Sequence, residues 1–367
     1  MASIYIHIPF CKQACHYCDF HFSTSQKNRS EMVLALQREL QMRKSEIDEP
    51  VETIYFGGGT PSVLFDAEID SIINLVYGNF EVVEEVEITL EANPDDLSDD
   101  RLKQLSQSRI NRLSIGIQSF YDEDLQLMNR AHNSAEARES LTEAARLFDN
   151  VTIDLIYGIP GMSDQRWRGN IQAALSYGIP HISAYALTVE PRTALRKLIA
   201  TGKMASPDDE TAARHFAILV QMLADAGFVH YELSNFGKPG YFSRNNSAYW
   251  LGKKYLGIGP SAHSFDGVCR SWNVSNNALY IKSINRGELP MEKEMLSATD
   301  RYNEYVMTGL RTIWGVSVNK LDEFGPGFRQ HLLLSAQKPI NDGLLMLENG
   351  VLLTTPKGKF LSDGLAS

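Results

Sequence analysis

The sequence predicts an α/β protein: a partial, open (β/α)6 TIM-like barrel followed by a small helical and winged C-terminal domain. Three observations predict it. Strand and helix patterns alternate six times over roughly the first 190 residues, which implies a parallel sheet with helices outside it. Six units are too few for the eight-fold closure of a full barrel. After Glu190 the alternation stops, and the stretch ENGVLLTTPKGKF near the end carries turn signals at Asn349-Gly350 and Lys357-Gly358, as a hairpin does.

The elements follow in order. Ser3–Ile8 alternates in strand fashion, and Arg29–Arg43 has helical periodicity. Thr53–Phe56 is a short apolar strand running into Gly57-Gly58-Gly59, and Ala67–Tyr77 is helical. Val86–Leu90 is a strand. Ser98 begins a helix with acidic residues in its first turn, which the helix dipole favours. Arg112–Ile117 is a strand, Ser134–Phe148 a helix, Val151–Ile156 a strand, Gln165–Ser176 a helix and His181–Leu187 a strand. Beyond these, Asp208–Ala226 is amphipathic, Val229–Leu233 is a short strand and Thr299–Ile313 is a helix. Phe236–Phe265, rich in Gly, Asn and aromatics, reads as ordered but without periodicity.

The chain has 367 residues, 43% hydrophobic and 22% charged, with a formal charge of −10. These proportions exclude a disordered chain, a collagen and a disulfide-stapled miniprotein. The acidic balance argues against a nucleic-acid-binding surface. No apolar run approaches the roughly 20 residues of a membrane span. The N-terminus MASIYIHIPF lacks the basic region of a signal peptide. A cytoplasmic protein is expected.

Three of the four cysteines, Cys11, Cys15 and Cys18, form a C-x3-C-x2-C loop directly after the first strand. Clustered thiolates suit zinc or an iron–sulfur cluster. A structural zinc usually has four ligands, so either His16 or His21 completes the set or one position stays open. Phe10, Tyr17, Phe20 and Phe22 would shield such a centre from water. The other motifs fall at strand ends, where ligands bind in parallel α/β sheets. Gly57-Gly58-Gly59 suits a close backbone approach or a tight turn. Glu91 could bind hydroxyls or a cation, or be a solvated loop acid. Arg130 suits a bidentate hold on a carboxylate, or is a surface arginine. Asp154 interrupts an apolar strand, where an acid needs a partner. Tyr5 and His7 share one face of the first strand.

The cysteine loop resembles that of the radical SAM superfamily, in which three cysteines hold a [4Fe–4S] cluster and S-adenosylmethionine (SAM) chelates the fourth iron. YIHIPFC (Tyr5–Cys11), FGGGTP (Phe56–Pro61) and IDLIYGIP (Ile153–Pro160) are similar to the oxygen-independent coproporphyrinogen III oxidase family and, within it, to the radical SAM haem chaperones. The decarboxylating oxidases carry a further cysteine two residues after the third, where this chain has Phe20, and an N-terminal extension. Both departures point to the chaperone branch.

The resemblance implies that Cys11, Cys15 and Cys18 hold a [4Fe–4S] cluster, and that Tyr5, Tyr17, Gly58, Gly59, Thr60, Glu91, Gln118, Arg130 and Asp154 form the SAM site. Haem is the third implied cofactor. The chaperones share a segment His-Asn-x-x-Tyr-Trp, which here reads Asn245-Asn246-Ser247-Ala248-Tyr249-Trp250. Asn245 is a poor iron ligand, and the nearby His263 is the expected substitute, with Cys269 behind it. Residues 1–230 are expected to form the radical SAM core, 231–290 a connecting segment with a haem-binding region, and 291–367 the C-terminal domain. The expected function is a haem chaperone delivering haem to acceptor proteins, membrane-bound respiratory enzymes among them, and the resemblance allows a homodimer. The alternative is a radical SAM oxidase acting on coproporphyrinogen III in porphyrin biosynthesis.

Overall fold

A computed structural model describes residues 1–366. Six strands lie side by side in parallel: β1 (Ala2–Ile8), β2 (Val51–Gly58), β3 (Val82–Ala92), β4 (Arg112–Gln118), β5 (Val151–Tyr157) and β6 (His181–Ala186). The helices between them are α1 (Arg29–Met42), α2 (Asp66–Asn79), α3 (Asp99–Ser106), the short α4 (Asp122–Leu127), α5 (Ser134–Leu147) and α6 (Asp164–Ser176). Local chemistry sets their starts. Ser98 and Ser163 each accept a hydrogen bond from a first-turn amide of α3 and α6, and Asn133 with Glu136 closes a capping box on α5.

The strands have two distinct faces. Ile4, Ile6 and Ile8 of β1 share a continuous apolar core with Met32, Leu36 and Leu40 of α1. The opposite face of the sheet carries polar and aromatic groups. Tyr5 stacks on Tyr55 of β2 with ring centroids 6.0 Å apart, and Tyr55 donates to Glu91 of β3 at 2.7 Å. Buried polar groups in this number demand partners, and the cavity described below is where they gather.

The region without sequence periodicity is structured. After α7 (Ala194–Ala200) and α8 (Asp209–Asp225, capped by Asp208) come β7 (Val229–Glu232) and β8 (Asn235–Gly237). These extend the sheet beyond β6 in antiparallel fashion. Then α9 (Arg244–Trp250) leads to β9 (Tyr255–Ile258), which pairs in parallel with β1. β10 (His263–Phe265), β11 (Cys269–Asn273), the helix α10 (Asn277–Asn285) and β12 (Met291–Met295) complete this side, so the sheet has twelve strands. A buried cluster anchors the addition. The Glu39 carboxylate of α1, 0% exposed, accepts from Arg43, from the Gly259 amide at 2.8 Å, from Asn273 at 2.7 Å and from the Tyr280 hydroxyl.

A second apolar core includes Tyr302, Val306 and Leu310 of α11 (Ala298–Leu310), Leu332 and Ala336 of α12 (Phe328–Asn341), and Val316, Leu345 and Leu352. The last three lie in a three-stranded sheet of β13 (Val316–Ser317), β14 (Leu345–Glu348) and β15 (Val351–Thr354). The Asn349-Gly350 signal is the hairpin turn, both residues having positive φ. Lys357-Gly358 is followed by a short 3-10 turn, Lys359–Leu361, rather than by a strand. Among the described residues no helix is long and apolar enough to cross a membrane.

Candidate cofactor-binding site

A cavity of about 450 Å³ opens at the C-terminal ends of β2 to β6. Cys11, Cys15, Tyr17, Cys18, Gly58, Gly59, Thr60, Glu91, Gln118, Arg130 and Asp154 all line it. Residues scattered over 140 positions of sequence are brought together because strand ends in a parallel sheet share one edge.

The cysteine loop is held at both ends. The Cys11 amide donates to the Ser23 carbonyl at 3.1 Å, and Ser23 N donates to Pro9 O at 2.9 Å. From outside, the His16 amide donates to Met128 O at 3.0 Å and its carbonyl accepts from Leu195 N of α7 at 2.7 Å. Asn129, at φ 56°, donates to Ala14 O. Neither loop histidine lines the cavity. His16 Nδ1 lies 2.9 Å from Leu127 O and His21 Nε2 2.7 Å from Asn277 Oδ1, so both rings serve as loop fasteners. Burial pushes the Cys11 and Cys18 thiols up to about 11.

The glycine segment faces the loop. Gly59 N donates to Ile8 O at 2.9 Å, Thr60 N to Phe10 O at 2.7 Å, and the Thr60 hydroxyl reaches Cys11 Sγ at 3.4 Å. A Cβ on Gly59 would stand 2.7 Å from Phe10 O and 2.9 Å from Ile8 O, so only glycine allows this approach.

Arg130 sits between the loop and the sheet. Its Nη1 donates to Cys15 Sγ and to the Tyr17 hydroxyl, both at 3.3 Å. Its Nη2 donates to Asn93 Oδ1 at 2.6 Å and to Gly116 O at 2.9 Å, while its buried Nε has no partner. Among the described residues it pairs with no carboxylate. Gln118 ends β4 at φ 64°, and its Nε2 would lie 2.9 Å from a Cβ on Gly116. On the far wall, burial raises Glu91 to about 7, against the Tyr55 hydrogen bond that lowers it. Burial likewise raises Asp154 to about 6, opposed by the Ser183 hydroxyl and by Arg112.

Three groups lie elsewhere. Tyr5 lies behind Tyr55, its hydroxyl 3.3 Å from His7 Nδ1. His263 is exposed on β10 with its ring centroid 6.0 Å from that of Trp272. Asn245, on α9, accepts from Thr53 through its side chain, and its amide donates to Glu87. Conversely, Asn93, Ser114 and Tyr185 line the cavity without having been singled out. Asn93 lies two residues after Glu91 in LEANP, and that neighbour is the available signal; Ser114 and Tyr185 sit inside strands and carry none.

The residues present fit the implied groups. Three soft donors sit on one short loop, a guanidinium with an unpartnered nitrogen lacks a carboxylate, and a glycine backbone leaves room beside them. Among the described residues no three His, Cys, Asp or Glu side chains converge as ligands of a single metal ion.

The radical SAM superfamily profile matches residues 5–174, and the HemN C-terminal domain profile matches 296–361. A protein of Mycobacterium tuberculosis named heme chaperone HemW is 35% identical over 99% of this chain and 93% of its own length. The Bacillus subtilis protein of the same name is 33% identical over 99% of this chain and 97% of its own. The fold is similar to that of coproporphyrinogen III oxidase (HemN) from Escherichia coli, with TM-score 0.86 and 23% identity, covering 100% of this chain and 89% of that one. The chain therefore belongs to the radical SAM superfamily and, within it, to the coproporphyrinogen III oxidase-like family of haem chaperones.

Proposed function

We propose that the protein is a cytoplasmic haem chaperone that carries a [4Fe–4S] cluster and SAM and hands haem to acceptor proteins. The observation that carries the reading is the convergence of three cysteines, Gly58-Gly59 and Arg130 on one cavity, in a chain similar over its whole length to proteins named haem chaperones. Cys11, Cys15 and Cys18 would hold the cluster, which supplies one-electron chemistry and an open iron for SAM. Arg130 would take the SAM carboxylate. Gly58 and Gly59, without a Cβ, leave room for it to approach the backbone closely, and Glu91, Gln118 and Asp154 can accept from its ammonium and hydroxyl groups. Phe20, in place of a further cysteine, favours the chaperone over the oxidase. His263, exposed on β10, is the proposed donor to the haem iron. Residues 1–230, 231–290 and 291–367 are the proposed core, connecting and C-terminal units. The proposed acceptors include membrane-bound respiratory enzymes.

The test uses one anaerobically reconstituted preparation. It should bind about one haem per chain and release no carbon dioxide from coproporphyrinogen III. Turnover of that substrate without haem binding would replace the chaperone reading with the oxidase one.

A further inference from the structure

The cavity is lined by apolar as well as polar side chains. Phe20 is 70% exposed and Tyr185 45% exposed, and both line this one opening together with Phe22, Ile156 and Leu187. A single exposed aromatic is ordinary. Two lining one cavity, one from the cysteine loop and one from β6, give it an apolar surface that water hydrates poorly. Charge is arranged around it. Asp19 and Glu190 line the same cavity and would repel an anion from its interior. Just beyond Glu190, Arg192 and Arg196 are exposed, and among the described residues neither side chain has a carboxylate partner. Arg192 holds φ 69°, an uncommon conformation for a non-glycine residue. The α7 helix that carries Arg196 is fastened to the cysteine loop through Leu195 N and His16 O at 2.7 Å.

We propose that haem lies across this mouth, its ring on Phe20, Phe22, Tyr185 and Leu187 and its two propionates on Arg192 and Arg196. The assignment rests on the chaperone reading above but not on His263 as iron ligand, which does not line this cavity. A flat apolar macrocycle matches aromatic side chains that line one cavity. A dianionic edge matches two free guanidinium groups, which bind carboxylates in bidentate fashion. Asp19 and Glu190 steer that edge outwards. In this pose haem covers the opening of the cofactor cavity, so the cofactors beneath are shielded while haem is bound.

The experiment titrates the cluster-loaded full-length protein with haem, followed by Soret absorbance, and in parallel with haem dimethyl ester in the same detergent-containing buffer. Iron content and far-ultraviolet circular dichroism confirm that each variant is folded and loaded. Phe20→Ala/Tyr185→Ala should weaken both ligands by about tenfold or more, as loss of two stacking side chains does. Tyr185→Phe should keep most of the affinity. Arg192→Gln/Arg196→Gln should weaken haem by about tenfold and leave the ester unchanged, because the ester has no charge to pair. If the wild type binds haem and the aromatic pair variant binds it equally well, the mouth is the wrong place although the chaperone reading stands. Equal losses of haem and ester in the arginine variant would remove the propionate contact. A wild type that binds no haem overturns the chaperone reading, and this proposal with it.

Discussion

The guanidinium of Arg130 donates to the Sγ of Cys15 at 3.3 Å. The same side chain pairs with no carboxylate among the described residues. One residue thus faces both the cluster loop and the proposed SAM carboxylate. Arg130→Ala should weaken SAM binding by about 2–3 kcal/mol, as loss of a buried charged hydrogen bond does. Arg130→Lys should recover only part of this, since an ammonium lacks the fork. Equilibrium binding of SAM to the reconstituted protein reads both. Unchanged affinity in the alanine variant would remove Arg130 from the site.

Cys11→Ala, Cys15→Ala and Cys18→Ala should each abolish the bleachable visible absorption of an iron–sulfur cluster, and the reconstituted wild type should hold about four irons per chain. Cys269→Ala should do neither, because Cys269 lies on β11 away from the cavity. Stoichiometric zinc without sulfide in the wild type would contradict the cluster.

Glu91 and Asp154 predict a pH dependence of the ligand-free protein. Burial holds them at about 7 and about 6, whereas in the unfolded chain both titrate near about 4. Between these limits the native state binds more protons than the unfolded one, so stability falls as pH rises from about 4 to about 7. Glu91→Gln should flatten the fall, and thermal unfolding between pH 5 and 8 checks it. SAM affinity should move the other way, rising with pH as the carboxylates ionise and accept from the ligand.

Much of this was legible before any coordinates. β1 to β6 show because each apolar strand alternates with an amphipathic helix, and strand ends in such sheets are where ligands gather. The stretch from Asn235 to Met295 was opaque. Its strands have three to five residues, and their order is imposed by tertiary contacts such as the Glu39 cluster rather than by local pattern. The cavity wall was legible where a residue ended a strand, as with Glu91 and Gln118. It was illegible where one sat inside an ordinary strand, as with Ser114 in RLSIGIQ and Tyr185 in HISAYA. His263 shows the limit of proximity in sequence: 18 residues from Asn245, it lies on a sheet strand while Asn245 lies on a helix.

Glu39→Ala should be among the most damaging substitutions outside the cavity. It strips Arg43, 1% exposed, of its buried counter-ion, leaving it the partly exposed Glu46, and takes the acceptor from Gly259 N and Tyr280, while Asn273 keeps only Gly259 O. Breaking a buried ion pair on one side costs about 3–5 kcal/mol. Glu39→Gln keeps acceptor capacity and should cost less. Urea unfolding of the ligand-free protein measures both, and a loss below about 1 kcal/mol for the alanine variant, the size of an exposed pair, would contradict the network.

Gly58 carries the sharpest local prediction. Its φ is 109°, a region that L side chains rarely adopt, and a Cβ there would stand 2.5 Å from His7 Nδ1. The backbone term alone costs about 1–3 kcal/mol. The clash adds to it, because His7 can yield only by giving up its contact with His21 O at 3.0 Å, which fastens the end of the cysteine loop, and with the Tyr5 hydroxyl at 3.3 Å. Gly58→Ala should therefore lower both stability and iron retention, and Tyr5→Phe combined with it should not restore either. Gly78 supplies the contrast. It lies in α2, has nothing within 4 Å of its Cβ position and is not at positive φ. Gly78→Ala should leave iron content unchanged and raise stability by about 0.4–1 kcal/mol. Thermal unfolding and iron analysis of the two variants side by side decide the matter: equal behaviour would mean that the strand-end conformation of Gly58 does not hold the loop.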